Sequence, residues 1–377
     1  MTEKTQNPER EESPVQASDA DRAFPGIGVN SGSVMTVLGP VPVDALGITL
    51  THEHIFSDIS PFWQEPTEAT KRQLAYQPVA MEILGELRLA PHINRDNQRL
   101  TDLELAVREV SKFRDLGGDT IVEATTVGLG RDPLALKAVA RRTGLNIVMG
   151  AGYYVGVAHP STVRSMSADD IADEIVRDLT EGVPGTGVRA GIIGEIGVDV
   201  DFTAEEEKSL RGAGRAARRT QVPLSVHLSG GVPPHYAQRV VDIVEEEGAS
   251  LRHTLLGHVV LHTPALEDQM ALAERGIFLG YDGVSCNYDW GVRGFSPCDE
   301  KLAMNIKRLI EAGCLHRILL SHDVHSKIML TAYGGFGYGY ILRRFVHRLR
   351  AHGVTGEQIQ ALLVENPRRF FSARPTG

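Results

Sequence analysis

From residue 46 onward, short runs of apolar and β-branched residues alternate with longer stretches of helical period. The short runs predict strands at 47–51, 120–124, 146–151, 190–196, 223–227, 254–257, 277–280 and 317–321. Most carry Val, Ile or Leu on both faces, as strands covered on both sides of a parallel sheet do. Between them lie helix starts. Thr101-Asp-Leu-Glu104, Ser167-Ala-Asp-Asp170, Thr203-Ala-Glu-Glu206 and Thr355-Gly-Glu-Gln358 resemble capping boxes, and Thr263-Pro264 offers an N-cap followed by proline. Gly117-Gly118, Gly144, Gly182, Gly248, Gly276, Gly313 and Gly353 stand where those helices should stop.

Eight strands alternating with helices predict a (β/α)₈ TIM barrel, with two extra C-terminal helices at about 340–352 and 355–366. A doubly wound open sheet is the alternative. Residues 56–99, rich in Pro, Gln and Glu, form a long insertion after the first strand and are expected to cover one end of the barrel. Residues 1–30 are polar and lack the apolar core of a secretory signal, so they read as a disordered tail. Residues 34–372 are then expected to form a single domain.

Composition narrows the classes. A net charge of −9 argues against a broad nucleic-acid surface. Cys286, Cys298 and Cys314 are odd in number and form no CxxC pair, which suits a reducing, cytoplasmic setting better than a disulfide framework or a thiolate zinc site. No apolar stretch is long enough to span a bilayer.

A TIM barrel carries its chemistry at the C-terminal ends of its strands. His52 and His54 end the first predicted strand, on one face because strand side chains alternate. Glu195 lies near the end of the fourth, His227 ends the fifth, His258 the sixth and Asp323 the eighth. Imidazole and carboxylate without thiolate suit Zn²⁺, Mn²⁺, Co²⁺ or Fe²⁺. Six such ligands exceed what one catalytic zinc takes from protein, so two divalent ions sharing a carboxylate is the simplest expectation. His322 and His325 read as supporting groups. The contiguous Ser321-His322-Asp323 cannot face one another as a catalytic triad must. Gly335-Phe-Gly-Tyr-Gly339 lacks the spacing of a dinucleotide loop and is expected to be a flexible helix entrance.

Several motifs together resemble the phosphotriesterase-related branch of the amidohydrolase superfamily. They are Gly47-Ile-Thr-Leu-Thr-His-Glu-His54, Thr120-Ile-Val-Glu-Ala-Thr125 with Gly130-Arg-Asp132, Gly191-Ile-Ile-Gly-Glu-Ile-Gly197, Leu320-Ser-His-Asp323 and Asn366-Pro-Arg-Arg-Phe370. The resemblance spans Val34 to Ser372. It implies a binuclear centre, most often zinc, with His52, His54 and Asp323 on the more buried ion and His227 and His258 on the more exposed one. Phosphotriesterases proper bridge their metals with a carboxylated lysine on the fourth strand. This chain has no lysine between Lys137 and Lys208, and Glu195 stands in that region. After the seventh strand, an Asp-His pair of those enzymes is replaced by Asp282-Gly283.

These readings lead to a metal-dependent hydrolase in which a metal-bridging hydroxide attacks a carbonyl of a lactone, ester or small amide, with Asp323 carrying the proton. Phosphotriester hydrolysis is the alternative, and a non-catalytic binding barrel is the alternative of another class. Tyr153, Tyr154, Asp282, Trp290 and Arg293 are the candidate substrate contacts. The expected partner is a small molecule, with no nucleic acid and no membrane; related proteins make a homodimer the expectation by analogy.

Overall fold

The computed structural model describes residues 32–63, 65–288 and 296–372. β1 (Ser33–Thr36) and β2 (Gly39–Pro42) form an antiparallel hairpin. β3 (Thr49–Glu53) begins the main sheet. β4 (Ser57–Asp58) and β5 (Arg99–Leu100) pair antiparallel at the two ends of the insertion. The sheet continues through β6 (Thr120–Glu123), β7 (Asn146–Ala151), β8 (Ile192–Val198), β9 (Leu224–Leu228), β10 (Thr254–Leu256), β11 (Phe278–Tyr281) and β12 (Ile318–Leu320). Its order is β3-β6-β7-β8-β9-β10-β11-β12, with every neighbouring pair parallel. All eight expected strands are present, in chain order, and the fold is the (β/α)₈ TIM barrel.

The barrel closes between its first and last strands through side chains as well as backbone. Thr51 Oγ1 donates to Leu320 O, His52 N to Ser321 Oγ at 3.0 Å, and Asp323 N to His52 O at 3.3 Å. Six sheet strands each send one residue into a common cluster: Val122, Val148, Ile192, Leu255, Phe278 and Leu319. Only the barrel interior can bring six strands to one place. Val34 from the hairpin and Phe370 and Phe371 from the last helix join that cluster and plug this end. The hairpin presses close: a Cβ at Gly191 would lie 2.0 Å from the Met35 carbonyl oxygen. The opposite end is left for chemistry.

Helices Leu103–Asp115, Pro133–Thr143, Ala168–Thr180, Ala204–Thr220, His235–Glu246, Leu266–Glu274 and Asp299–Glu311 cover the outside. The boxes at Ser167, Thr203 and Thr355 form, with both reciprocal bonds present. At the first helix the cap shifts by one residue, because Asp102, not Thr101, accepts from Leu105 N. Thr263-Pro264 does not start a helix. A short turn over Val259–His262 takes the Thr263 N–H through Val259 O, so the next helix begins at Leu266. The expected stop glycines 117, 144, 182, 248, 276, 313 and 353 all have positive φ. The last helix runs past the expected end at 366, to Phe371. A wide π turn at Ala361–Glu365 moves the carbonyls that Pro367 would otherwise strike. The 335–339 glycine stretch is not slack: Gly335 N and Gly337 N donate to Leu330 O and Met329 O, and Tyr338 Oη donates to His54 O. Among the described residues no helix is long and apolar enough to cross a membrane.

Candidate metal centre

Strand ends and the turns after them bring the six candidate ligands together. His52 projects from β3 and His54 follows its last residue, Glu195 projects from β8 and His227 from β9. His258 and Asp323 sit just beyond β10 and β12, both in the left-handed region, with φ of 55° and 57°. Non-glycine residues held there carry strain that the surroundings must overcome, and such strain gathers at functional sites.

Glu195 is the hub. Its Oε1 lies 3.3 Å from His54 Nε2; its Oε2 lies 3.2 Å from His52 Nε2 and 3.1 Å from His227 Nδ1. His258 Nε2 stands 3.9 Å from the same Oε2 and 2.7 Å from His227 Nδ1. Asp323 Oδ1 lies 3.1 Å from His54 Nε2 and 3.8 Å from His52 Nε2. Two ligand groups result, His52 with Glu195 and His258, and His52 with His54 and Asp323. Asp323 is the most open of the six, at 19%.

The donor set fits divalent cations. Both ring nitrogens of His52 and the Oε2 of Glu195 are fully buried yet lack a hydrogen-bond partner. The His52–Glu195 contact is short but too far off line to be a hydrogen bond. A buried polar atom left unpaired costs about 1–3 kcal/mol, which a shared cation removes. Charge follows the same plan. Burial pulls the His54 imidazole down, but Asp323 and Glu195 outweigh it and push it up to about 9. Burial pushes Glu195 up, but His52 and His227 outweigh it and hold it well below the usual carboxylate range; Asp323 is held low in the same way by His325 and His54. Burial, then the neighbouring His258, pulls His227 down to about 4.

Supporting groups orient the ligands. Asp282, a candidate substrate contact, lines the cavity over the cluster and also supports the histidines: its Oδ1 accepts from His258 N and from His258 Nδ1, both at 2.9 Å. That leaves His258 Nε2 facing the cluster. His54 Nδ1 meets Thr125 Oγ1 at 2.9 Å, and Thr125 donates to Glu123 at 2.6 Å. Thr125 and Glu123 belong to a quoted motif, but nothing local in that motif marks their partner as a histidine 71 positions away.

A cavity of about 120 Å³ opens above the cluster. His54, Glu195, His227, His258 and Asp323 form its floor, and Ile59, Phe62, Leu129, Val260 and Leu261 give it an apolar wall. Tyr154 lines it, with its hydroxyl 2.9 Å from His227 Nε2. Tyr153 does not: successive residues point opposite ways, and its hydroxyl donates to Glu174 at 2.7 Å on the helix outside. Trp290 and Arg293 lie outside the described residues. The insertion covers this end of the barrel and supplies Ile59, Phe62 and His92, which sequence reasoning did not single out. His325 also lines the cavity, 3.4 Å from Asp323 Oδ1, whereas His322 is buried away from it.

Comparison with known proteins agrees with this architecture. Residues 32–371 match the Phosphotriesterase family. The N-acetyltaurine hydrolase of Danio rerio is 34% identical over 345 residues, covering 90% of this chain and 98% of the relative. Among solved structures, a resiniferatoxin-binding protein from Rhodobacter sphaeroides is 49% identical, with a TM-score of 0.88 over 91% of this chain and 96% of its own. The phosphotriesterase homology protein of Escherichia coli, solved with phosphate in its active site, is 28% identical, with a TM-score of 0.72 over 87% of this chain and 99% of its own. On fold, on a match along nearly the whole described chain and on the activity of its relatives, this chain is a hydrolase that belongs to the phosphotriesterase family.

Proposed function

We propose that this chain is a binuclear metal-dependent hydrolase of carbonyl substrates, of the branch in which a glutamate joins the two ions. Small amides are the leading class, with lactones and esters beside them. One observation carries the reading: the two oxygens of Glu195 reach ligands of both groups, Oε1 toward His54 and Oε2 toward His52 and His227, all within 3.3 Å. In this reading His52, His54 and Asp323 hold one ion and His227 and His258 the other.

Divalent ions held there supply Lewis acidity, which activates water near neutral pH and polarises an acyl oxygen. The chain's own groups do the rest. Asp323, kept ionised by its imidazole neighbours and open to the cavity, accepts the proton of the attacking water and delivers it to the leaving group. Asp282 holds the His258 ring so that one nitrogen faces inward. The apolar wall of Ile59, Phe62, Leu129, Val260 and Leu261 excludes water and seats the non-reacting part of the substrate.

Two facts favour a carbonyl over a phosphotriester. No lysine is available to bridge the metals as in phosphotriesterases proper. Relatives about one-third identical over nearly their full length hydrolyse N-acetyltaurine, an amide. The test is metal stripping with a chelator, reloading with Zn²⁺ or Mn²⁺, and assay against N-acetyltaurine, N-acyl amino acids, lactones and aryl phosphotriesters. Saturation at about two ions per chain, with amide or lactone turnover that vanishes on stripping, is expected. Undiminished turnover after complete stripping would reject the metal chemistry. Preference for phosphotriesters over every carbonyl substrate would reject the substrate class alone.

A further inference from the structure

Glu53 lies between two candidate ligands in sequence but faces away from them. It is fully buried. Its carboxylate accepts four hydrogen bonds, all from the segment that carries Asp323. Oε1 takes Ser321 Oγ at 2.8 Å, His322 N at 2.8 Å and His322 Nδ1 at 2.7 Å; Oε2 takes Val324 N at 2.9 Å. The donors bracket Asp323 on both sides. The His322 ring is itself fixed, because its Nε2 accepts from Ile341 N at 3.0 Å, so Nδ1 carries the proton donated to Glu53. Ser321 Oγ also accepts from His52 N, which ties the carboxylate back to the first ligand strand.

Asp323 needs this support. Its φ of 57° is disfavoured for any residue with a side chain, and its own N–H makes only a long bond, 3.3 Å to His52 O. No ladder between β3 and β12 is present among the described strand pairings, so the four Glu53 bonds join the backbone bonds His54 N to Val324 O and Asp323 N to His52 O in closing the barrel at the reactive end.

We propose that Glu53 is a positioning residue: by gripping Ser321, His322 and Val324 it sets the Asp323 carboxylate against His54 and His52 for proton transfer. This rests on the role given to Asp323 above. Glu53 touches neither the cavity nor any of the six candidate ligand side chains, so it acts through the backbone of the turn.

The test is Glu53→Gln. The amide keeps the volume but presents N–H where an acceptor is needed, against either Val324 N–H or the three donors at Oε1. In the metal-loaded protein we expect kcat to fall about 10- to 100-fold with KM within about twofold, since misplacing a reacting group by up to about 1 Å has effects of that order. Metal content should stay at the parental level, and the visible absorption of the Co²⁺-loaded protein should shift as the Asp323 oxygen moves. His322→Asn is the control. Its amide nitrogen can take the place of Nδ1 and still donate to Glu53, while Ile341 N loses its acceptor. It should lower the melting temperature yet keep kcat within about threefold. Parental kcat and cobalt spectrum in Glu53→Gln would overturn the proposal, as would loss of its metals or an equal kcat loss in His322→Asn. If Glu53→Gln does not fold, Ser321→Ala, which removes one of the four bonds together with the acceptor of His52 N, must show the same kcat-selective loss with metal content at the parental level, and its absence overturns the proposal. Asp323→Asn, assayed alongside, separates the two claims: parental turnover there rejects the role of Asp323 itself.

Discussion

Replacing Asp282 by Asn removes a charge from the back of the cluster without changing its shape. Asp282 is 1% exposed and bonds His258 twice, at the backbone N–H and at Nδ1. Its oxygens occupy room left by glycines, since a Cβ at Gly280 would stand 2.7 Å from Oδ2. Oδ1 accepts from both His258 N and Nδ1, and Oδ2 takes a further bond from His258 N at 3.0 Å, so an asparagine with its oxygen at Oδ1 sets its own N–H₂ against His258 N–H in place of that bond. The net loss is one hydrogen bond to a charged group, about 1.5–3 kcal/mol, together with the negative charge that makes the His258 ring more basic. At about 1.4 kcal/mol per decade this is roughly a 10- to 100-fold loss of metal affinity, the range seen when groups behind a metal-binding histidine are removed. The loss should be larger at one ion, the one held by His258. His54, whose ring is held by Thr125 and Glu123, stands apart from Asp282, but His52 Nδ1 lies 3.6 Å from Asp282 Oδ2, so the ion they share with Asp323 should lose less than the ion at His258. Chelator competition with the metals added in steps resolves the two affinities. Equal affinities in parent and variant for both ions would refute the account of Asp282, and an equal loss at both would refute its assignment to His258.

Arg131 and Asp178 form a salt bridge of 2.8 Å with both side chains almost fully buried, and Arg131 also caps the Gly150 carbonyl; Arg131→Met strands the carboxylate and should cost about 3–5 kcal/mol in chemical denaturation, whereas a loss below about 1 kcal/mol would show the pair to be dispensable. Tyr153→Phe deletes the bond to Glu174 outside the cavity, so it should cost about 1 kcal/mol of stability and leave kcat/KM unchanged; a tenfold fall in kcat/KM would put Tyr153 in the site after all. Metal binding should depend on pH in a set direction. With His54 pushed up to about 9 in the metal-free chain, the ring is protonated at neutral pH, and an ion must displace that proton. Apparent affinity should therefore rise with pH, roughly tenfold per unit for each displaced proton, with the His54 contribution levelling off above about 9. Calorimetry in buffers of different ionisation heat counts the protons, and finding none released at neutral pH would contradict the electrostatics.

The barrel and its reactive rim were legible in the chain because both are local. A strand buried on both faces writes itself as an apolar run, a helix start as a Ser or Thr with an acceptor three residues on, and the chemistry of a barrel follows strand ends. His52, His54, Glu195, His227, His258 and Asp323 needed only that rule. Glu53 shows where locality stops. Strand alternation could tell that it faces away from His52 and His54, but its partners lie 268 to 271 residues further on. Tyr153 and Tyr154 are indistinguishable by composition, and the pleat of the chain after β7 decides that one meets His227 and the other Glu174. Asp282 does line the cavity, but only the β10 and β11 ends show that it also holds His258. The order of strands, the caps and the identity of the candidate ligands are properties of short windows, and the sequence by itself determined them. Which groups hold those ligands, and which side chains of the insertion wall the cavity, was decided only by the closed tertiary structure. Those choices depend on contacts between segments whose separation along the chain leaves no pattern in either one.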